Sequence, residues 1–401
     1  MMTTLKVHPM TQHRRKQPLL VYLILALVGR AFVAQGQSIG TMTPLTKFTL
    51  HSEILKDDRK IAIYRPPVLK EFPDNVPPVI YVLDGELTTD LVRAHVGYFT
   101  EIWKELPPIM VVGIENKEDH SNRTSDLTPT KSQLGNGGRA DDFMRFMEKE
   151  LIPVVEKDHK QRPYRVLVGA SLAGLFAVHS LLNHSLFDAF IASSPTLAWN
   201  RSAIMNDLSS KLDAINSKKT LFFCVGNEGG KYLAHATTLD SLLSKKNLPT
   251  LRHRFVHYPD ETHGTAPLKG YYEGFKLIFK VGAEDLDVPL EQITYKTIED
   301  YYSDWTSIFG FPMKPREFVI NEYGYKFLYG TKQVDKALDF FQMNIRNYPK
   351  SANTYDSYAE GLLAKGDKEK ALINYQRALE LDPKNKHAEE QIVKLKKELT
   401  K

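Results

Sequence analysis

Cysteine is the scarcest residue of this chain, because Cys224 is the single one among 401 residues. Disulfide bonds within the chain are therefore excluded, and stability has to come from a large hydrophobic core. Metal ligands at recognisable spacing are also lacking, since the thirteen histidines are scattered. A phosphate-binding loop is lacking too, because the glycines at 135–138 do not follow a strand pattern. The sequence thus predicts neither a metal site nor a cofactor.

Beyond residue 34 the chain has no excess of positive or negative charge. The formal net charge is +5, and residues 1–34 contain five Lys or Arg and no Asp or Glu, so the rest carries 5 − 5 = 0. A nucleic-acid-binding role therefore loses its electrostatic support. The same segment joins basic residues, a short apolar run at 19–28 and small residues at 34–36, the pattern of a secretory signal peptide. We expect an exported protein, periplasmic or secreted, because this run is too short for a permanent membrane span.

Near-continuous apolar runs alternate with amphipathic stretches from about residue 47 to residue 280. Such runs are typical of strands buried on both faces of a parallel sheet. The runs are residues 79–83, 109–114, 165–168, 189–193, 221–225 and 254–258, and an antiparallel hairpin at 48–55 and 60–64 precedes them. The pattern predicts an α/β fold over residues 35–285, with helices on both faces of a mostly parallel sheet. Ligands of such folds bind beyond the carboxyl ends of the strands.

The sharpest motif joins a buried strand pattern to a helix pattern at Ser171. The joint reads Gly169-Ala-Ser-Leu-Ala-Gly174, and small residues are what the strained turn of a nucleophile elbow requires around its central residue. The usual pattern is G-x-S-x-G, and Ala173 stands here at the place of the last glycine. We interpret Ser171 as a nucleophile. The alternative is a serine that caps an ordinary buried helix.

Two later strand-end loops carry groups that would activate a serine. Glu228 follows the seventh strand pattern and His263 follows the eighth. The order Ser171, Glu228, His263 is the nucleophile–acid–base order of α/β-hydrolases. We predict that His263 accepts the serine proton and that Glu228 fixes the tautomer of the imidazole. Asp240 and Asp260 are alternative candidates for the acid.

Backbone amides at two of these joints are candidates for an oxyanion hole. The amide of Leu172 is the first free one of the helix after the serine, and it points to where an oxyanion would form. Gly85 and Glu86 follow the strand pattern at 79–83, and a glycine lets backbone amides approach a ligand closely. We expect one of these two to supply the second donor. A simple turn is the alternative.

Several motifs in the same order resemble a known family. They are residues 81–85 (Tyr-Val-Leu-Asp-Gly), 148–153 (Glu-Lys-Glu-Leu-Ile-Pro), 169–174, 191–195 (Ile-Ala-Ser-Ser-Pro) and Trp199. Over roughly residues 47–280 the chain resembles the putative esterase family, related to esterase D and the enterochelin esterases. The resemblance implies an α/β-hydrolase fold without a lid domain. It also implies a serine esterase with Ser171 as nucleophile, His263 as base and Glu228 as acid.

The resemblance extends to segments that flank the substrate pocket in relatives, at residues 123–129 and 137–139. There Arg123 or Arg139 would bind an acidic group of the substrate, and a structural ion pair is the alternative for either. Trp199 would stack on an aromatic acyl or catechol group, with a position in the core or rim as the alternative.

The sequence of the C-terminal part, residues 286–401, predicts helices throughout and contains an internal repeat. Ala337, Phe341 and Pro349 recur 34 residues later as Ala371, Tyr375 and Pro383. This period is typical of tetratricopeptide repeats. It predicts two such repeats, at about 319–350 and 352–385, and a terminal helix at 385–399. These repeats would bind a protein partner or form a homodimer. The alternative is that they only stabilise the enzyme and line its substrate pocket.

These patterns together predict an exported serine hydrolase that cleaves carboxylic esters through an acyl-enzyme. The substrate would be a small-molecule, saccharide or siderophore ester, without nucleic acid or a membrane span. One alternative is a scaffold protein that binds through its repeats and has a weak or inactive hydrolase domain. Another is an acyltransferase that uses the same three residues.

Overall fold

The computed structural model describes residues 45–66, 76–102, 106, 108–206, 208–280, 289–309 and 312–400. The predicted signal peptide, residues 1–34, lies outside these residues. The described residues all belong to one compact unit, Thr43–Lys401.

The centre of the fold is a mixed sheet of eight strands in the order β1-β2-β4-β3-β5-β6-β7-β8. The strands are β1 Thr46–Ser52, β2 Asp57–Tyr64, β3 Val79–Leu83, β4 Met110–Ile114, β5 Arg165–Ala170, β6 Ala189–Ser193, β7 Lys219–Val225 and β8 Leu251–His257. Strand β2 pairs antiparallel with β1 and with β4, and the other pairs are parallel. The α/β fold with a mostly parallel sheet is thus confirmed.

Alternate residues of the central strands pack into different cores, which explains their continuous apolar character. In β3, Val79, Tyr81 and Leu83 belong to one hydrophobic cluster, and Ile80 and Val82 belong to another. Side chains of a strand point alternately to the two faces of its sheet. Both faces are therefore covered, as the apolar runs predict.

Helices follow the strands and cover these faces. They are α1 Gly85–Gly97, α2 Arg123–Leu127, α3 Ala140–Phe146, α4 Ile152–Val155, α5 Leu172–Asn183, α6 Leu208–Asp213, α7 Gly230–Lys246 and α8 Ala266–Phe279. Short π-helical turns at Tyr98–Ile102 and Met147–Leu151 continue α1 and α3. Because the parallel strands all point the same way, the N-termini of α1, α5 and α7 lie beyond the same edge of the sheet.

The C-terminal part is helical, as expected. Its helices are α9 Tyr295–Phe309, α10 Glu317–Tyr325, α11 Val334–Asn347, α12 Ala352–Lys365, α13 Lys368–Leu381 and α14 Lys386–Leu399. Consecutive helices from α10 to α14 pack against each other, while their assignment as tetratricopeptide repeats stays a prediction. None of the helices in the described segments combines the length and the apolar character needed to span a bilayer.

Candidate active site

Ser171 stands at the junction of β5 and α5 in a backbone conformation that non-glycine residues rarely adopt. Its φ is 60° and its ψ is −119°, and such a conformation costs on the order of 1–3 kcal/mol. Gly169 makes the turn possible, because a Cβ atom there would lie 2.6 Å from the backbone of Ala173. The strained geometry predicted for an elbow is therefore present at this serine.

Hydrogen bonds from the neighbouring loop hold this strained residue in place. The amide of Ser171 donates to the carbonyl oxygen of Ser193 at 2.9 Å, and its own carbonyl accepts from the amide of Thr196 at 3.1 Å. The first turn of α5 adds a bond from the amide of Leu175 at 3.0 Å. Because both sides of the residue are fixed, the position of its hydroxyl is set by the sheet and by the loop after β6.

Glu228 and His263 lie in contact at the same edge of the sheet. Nδ1 of His263 is 2.5 Å from Oε2 of Glu228. The glutamate side chain is only 4% exposed, whereas the histidine side chain is 45% exposed. The other carboxylate oxygen, Oε1, accepts from the amide of Gly226 at 2.9 Å and from the hydroxyl of Ser194. The carboxylate is therefore fixed from behind, and Nε2 of the imidazole is the nitrogen left for a substrate or a nucleophile.

The two alternative acids make other contacts. Asp240 lies 3.4 Å from Nε2 of His253, on the neighbouring strand β8. Asp260 accepts a hydrogen bond from Nζ of Lys269 at 2.6 Å, and its side chain is largely exposed. Of the three carboxylates that the sequence offered, the structure brings Glu228 to His263.

Polar side chains connect the serine to the histidine. The hydroxyl of Ser171 lies 3.3 Å from the hydroxyl of Thr196, which in turn lies 3.4 Å from the hydroxyl of Tyr232. The ring of Tyr232 packs edge-on against His263, with the ring centroids 5.4 Å apart. Among the described residues, the hydroxyl of Ser171 bonds to Thr196, and no hydrogen bond joins it to His263.

The candidate oxyanion amides lie at the N-termini of two helices. Leu172 is the first residue of α5, and Gly85 and Glu86 are the first two residues of α1. Amides in the first turn of a helix have no partner within the helix and stabilise negative charge. A Cβ atom on Gly85 would lie 2.7 Å from the amide nitrogen of Ile114. Only glycine therefore allows α1 to begin this close to strand β4.

Arg123 forms an ion pair with the residue that precedes α1. Its guanidinium donates two hydrogen bonds of 2.8 Å to the carboxylate of Asp84, which is 6% exposed. Asn116 adds a bond of 2.7 Å to the same carboxylate and also contacts the side chain of Glu86. Of the two interpretations of Arg123, this geometry favours the structural ion pair, which fixes the start of α1.

Arg139 and Trp199 lie beside the loop at 130–138. Arg139 contacts Asp142 at 3.2 Å and is 40% exposed, so its guanidinium remains accessible. The indole nitrogen of Trp199 donates to the carbonyl oxygen of Thr130 at 2.8 Å. This bond ties the loop to the segment after β6, and the partly buried indole packs on the core. The structure thus places Trp199 between the core and this loop, and stacking on a substrate stays a prediction.

Three polar residues near this site were missed by sequence reasoning. Ser194 bonds to the glutamate, and Thr196 and Tyr232 bridge the serine and the histidine. The first two belong to a polar run directly after β6, and the rule that ligands bind at strand ends would have identified them. Cys224 is buried in β7, and burial raises its thiol pKa to about 12.

Comparison with known proteins identifies the family of this chain. The family described as "Putative esterase" matches residues 52–264, which is 213 of the 401 residues. The chain belongs to this family. It is 32% identical to ferri-bacillibactin esterase BesA of Bacillus subtilis (strain 168) over 147 residues, which are 32% of this chain and 50% of that one. It is 33% identical to siderophore triacetylfusarinine C esterase of Aspergillus fumigatus over 144 residues, 32% of this chain and 48% of that one.

The chain spans about half the length of these curated relatives. Among solved structures, an IroE-like serine hydrolase from Shewanella oneidensis superposes with a TM-score of 0.60 at 23% identity. The match covers 75% of this chain and 99% of the other. At this identity the match shows the shared fold, which is that of the α/β-hydrolases.

Proposed function

We propose that this protein hydrolyses carboxylic esters with Ser171, His263 and Glu228 as nucleophile, base and acid. The observation that carries the proposal is the contact of 2.5 Å between His263 and a buried, triply hydrogen-bonded Glu228, at the same sheet edge as a strained serine. A solvated surface pair would not need a carboxylate that is 4% exposed. Family membership supports the same chemistry.

In the proposed reaction, the hydroxyl oxygen of Ser171 forms a bond to the ester carbonyl carbon while its proton passes to Nε2 of His263. Amides of Leu172 and of the Gly85–Glu86 segment stabilise the negative charge on the carbonyl oxygen. The alcohol leaves with the proton from His263. Water then attacks the acyl-enzyme by the same path, and the acid is released with Ser171 restored.

The substrate class that we propose is a siderophore ester. The support comes from the curated relatives, whose names specify bacillibactin and triacetylfusarinine C. The partly buried Trp199 and the accessible guanidinium of Arg139 would suit an aromatic, acidic ligand. Feruloyl, acetyl-sugar and simple short-chain esters are the competing classes.

The test of the reaction uses the serine variant and a mechanism-based probe. Wild-type protein should hydrolyse a short p-nitrophenyl ester and should be labelled by a fluorophosphonate probe at Ser171. Ser171→Ala should lose both properties and keep the wild-type melting temperature. Ser180→Ala provides a matched control on the same helix, because it removes a buried hydroxyl away from the site. A Ser171→Ala variant that keeps more than a few per cent of the activity would refute the nucleophile assignment.

The test of the substrate class is a panel of esters assayed with the same enzyme. We expect kcat/KM for siderophore esters to exceed that for feruloyl, acetyl-sugar and short-chain esters by about 100-fold, because remote binding energy is used in the transition state. Equal kcat/KM values across the panel would refute the proposed substrate class but not the proposed ester hydrolysis.

We also propose that the chain is exported, with removal of residues 1–34 as a signal peptide, and that α10–α14 form repeats that bind a partner. The support is the basic and apolar pattern of the N-terminus and the 34-residue period. Mass spectrometry of the mature N-terminus after expression tests export. Retention of the full-length mass in the cytoplasm would contradict it. Cross-linking of the purified protein distinguishes a homodimer from a monomer.

A further inference from the structure

A second cluster of reactive side chains lies away from the candidate active site. It consists of Asp141, His179 and His184, and their ligand-type atoms all lie within 4.8 Å of one another. Oδ1 of Asp141 is 2.9 Å from Nε2 of His179 and 3.2 Å from Nε2 of His184. One carboxylate and two imidazoles thus converge on a single point. We call these three residues the Asp–His–His cluster.

The fold, and not the local sequence, assembles this cluster. Asp141 is the second residue of α3, whereas His179 lies in the last two turns of α5 and His184 follows that helix directly. At 1.5 Å per residue along the helix, His179 is about 10 Å from the start of α5 and His184 about 18 Å. The cluster is therefore separate from the chemistry at Ser171. The expectation of no metal site came from spacing alone, which does not show this convergence.

The three side chains of the cluster are exposed to different extents, so the cluster is held on one side and open to solvent on the other. The side chain of His179 is 9% exposed, that of His184 is 26% exposed and that of Asp141 is 71% exposed. The exposed carboxylate leaves an open side through which an ion and water reach the cluster.

We propose that the Asp–His–His cluster binds one divalent transition-metal ion, such as Zn²⁺, through one carboxylate oxygen and two imidazole nitrogens. Two histidines and one carboxylate are a recurrent ligand set for zinc and for ferrous iron. Adjacent ligands of a tetrahedral zinc ion lie about 3.4 Å apart for metal–ligand distances of about 2.1 Å. The observed distances of 2.9 and 3.2 Å therefore require only a small outward shift. Hard cations such as Mg²⁺ and Ca²⁺ prefer oxygen ligands and would bind weakly.

Asn183 contacts His179 on the side of the ring that faces away from Asp141. Its side-chain nitrogen lies 3.0 Å from Nδ1 of His179 and 2.8 Å from the carbonyl oxygen of the same residue. When Nε2 of His179 binds a metal ion, its proton has to move to Nδ1. The side chain of Asn183 then has to shift, because its nitrogen cannot accept that proton and its oxygen in the same place would face the carbonyl oxygen of His179. The nearby charge of Lys211 acts against a cation, since it also lowers the pKa of His179.

The bound ion would join the start of α3 to the end of the helix that carries Ser171. The loop at 130–138 leads into α3, and its Thr130 accepts a hydrogen bond from Trp199. Metal binding would therefore stabilise both the nucleophile helix and this loop without taking part in catalysis. The expected effect is on thermal stability, with kcat changed little.

The experiment uses the untagged full chain, freed of metals by a chelator, and Zn²⁺ alone as the probe. Calorimetric titration should give one site per chain, and saturating Zn²⁺ should raise the melting temperature while Mg²⁺ should not. Co²⁺ should give the visible absorption bands of a four-coordinate site. Asp141→Asn and His184→Ala should each lower the affinity at least about 100-fold, since loss of an outer-shell partner alone costs about 10–100-fold.

The matched control is the Asp240–His253 pair, which has a similar contact of 3.4 Å and no third ligand among the residues that the structure describes. His253→Ala should leave the zinc affinity unchanged. Both ligand variants change partly exposed side chains, so they should fold, which circular dichroism verifies. The proposal is overturned if wild-type protein binds no Zn²⁺ at micromolar concentration. It is equally overturned if the Asp141→Asn and His184→Ala variants bind as wild type does.

Discussion

The substitution Glu228→Gln separates the proposed catalytic role of this carboxylate from a merely structural one. In the wild type, Oε1 accepts from the amide of Gly226 and from Ser194, while Oε2 faces Nδ1 of His263. A glutamine has one oxygen and one NH₂ group. One of them has to take the inner position of Oε1, and the other takes the position of Oε2 beside His263. Because the Gly226 amide can only donate, the oxygen occupies the inner position. The NH₂ group then faces His263.

That orientation imposes the wrong tautomer on the base. Nδ1 of His263 has to accept from the glutamine, so Nε2 carries the proton and cannot take one from Ser171. The imidazolium formed during the reaction also loses its counter-charge. For a change of this kind we expect kcat to fall about 10³–10⁴-fold, which corresponds to about 4–5.5 kcal/mol of transition-state stabilisation. KM should change little, because the ester does not contact the glutamate.

The assay is steady-state hydrolysis of a p-nitrophenyl ester, with thermal unfolding of the same samples. Glu261→Gln is the matched control: it removes the same charge from the loop of His263, at a carboxylate that pairs with Lys269 at 2.7 Å. The control should retain wild-type kcat. A Glu228→Gln variant within tenfold of the wild-type kcat, with its fold intact, would show that the contact with His263 does not serve catalysis.

Three further substitutions test the surroundings of the site. Tyr232→Phe removes the hydroxyl that bridges towards the serine, and kcat should fall about 3–10-fold at unchanged KM, the value of one neutral hydrogen bond. Gly85→Ala should lower kcat about 100-fold by displacing an oxyanion amide, whereas Gly230→Ala, whose Cβ meets open space, should not. Arg123→Met leaves a buried carboxylate without its cation and should cost about 3–5 kcal/mol of unfolding free energy in urea. Arg139→Met should leave stability unchanged, and an equal loss in both arginine variants would contradict the structural role of Arg123.

Much of the sheet could be predicted because burial on both faces leaves a strong trace in the sequence. Residues 79–83 and 189–193 are apolar runs, and the structure has strands with these bounds. Strand order could not be read in this way. The place of β4 between β2 and β3 depends on pairing between residues far apart in the chain, which no local pattern specifies.

The candidate site was predictable to the extent that its groups follow strands. Ser171, Glu228 and His263 each lie in the segment that follows a strand, and the carboxyl ends of parallel strands meet at one edge. Tyr232 has no such signature, because it lies inside α7 and reaches the site through the length of its side chain. The Asp–His–His cluster has none either, since two separate helices supply its members.

The C-terminal helices share their core with the sheet, and this limits how a partner-binding role can be tested. One continuous hydrophobic cluster contains Phe275 of α8, Tyr302 of α9 and Phe341 of α11. Deletion of residues 289–401 would expose that cluster to water, so a truncated chain would lose solubility whether or not a partner exists. Substitutions at exposed positions avoid the problem. Ile373→Glu changes a residue that is 62% exposed, and it can weaken partner binding while the shared core remains intact.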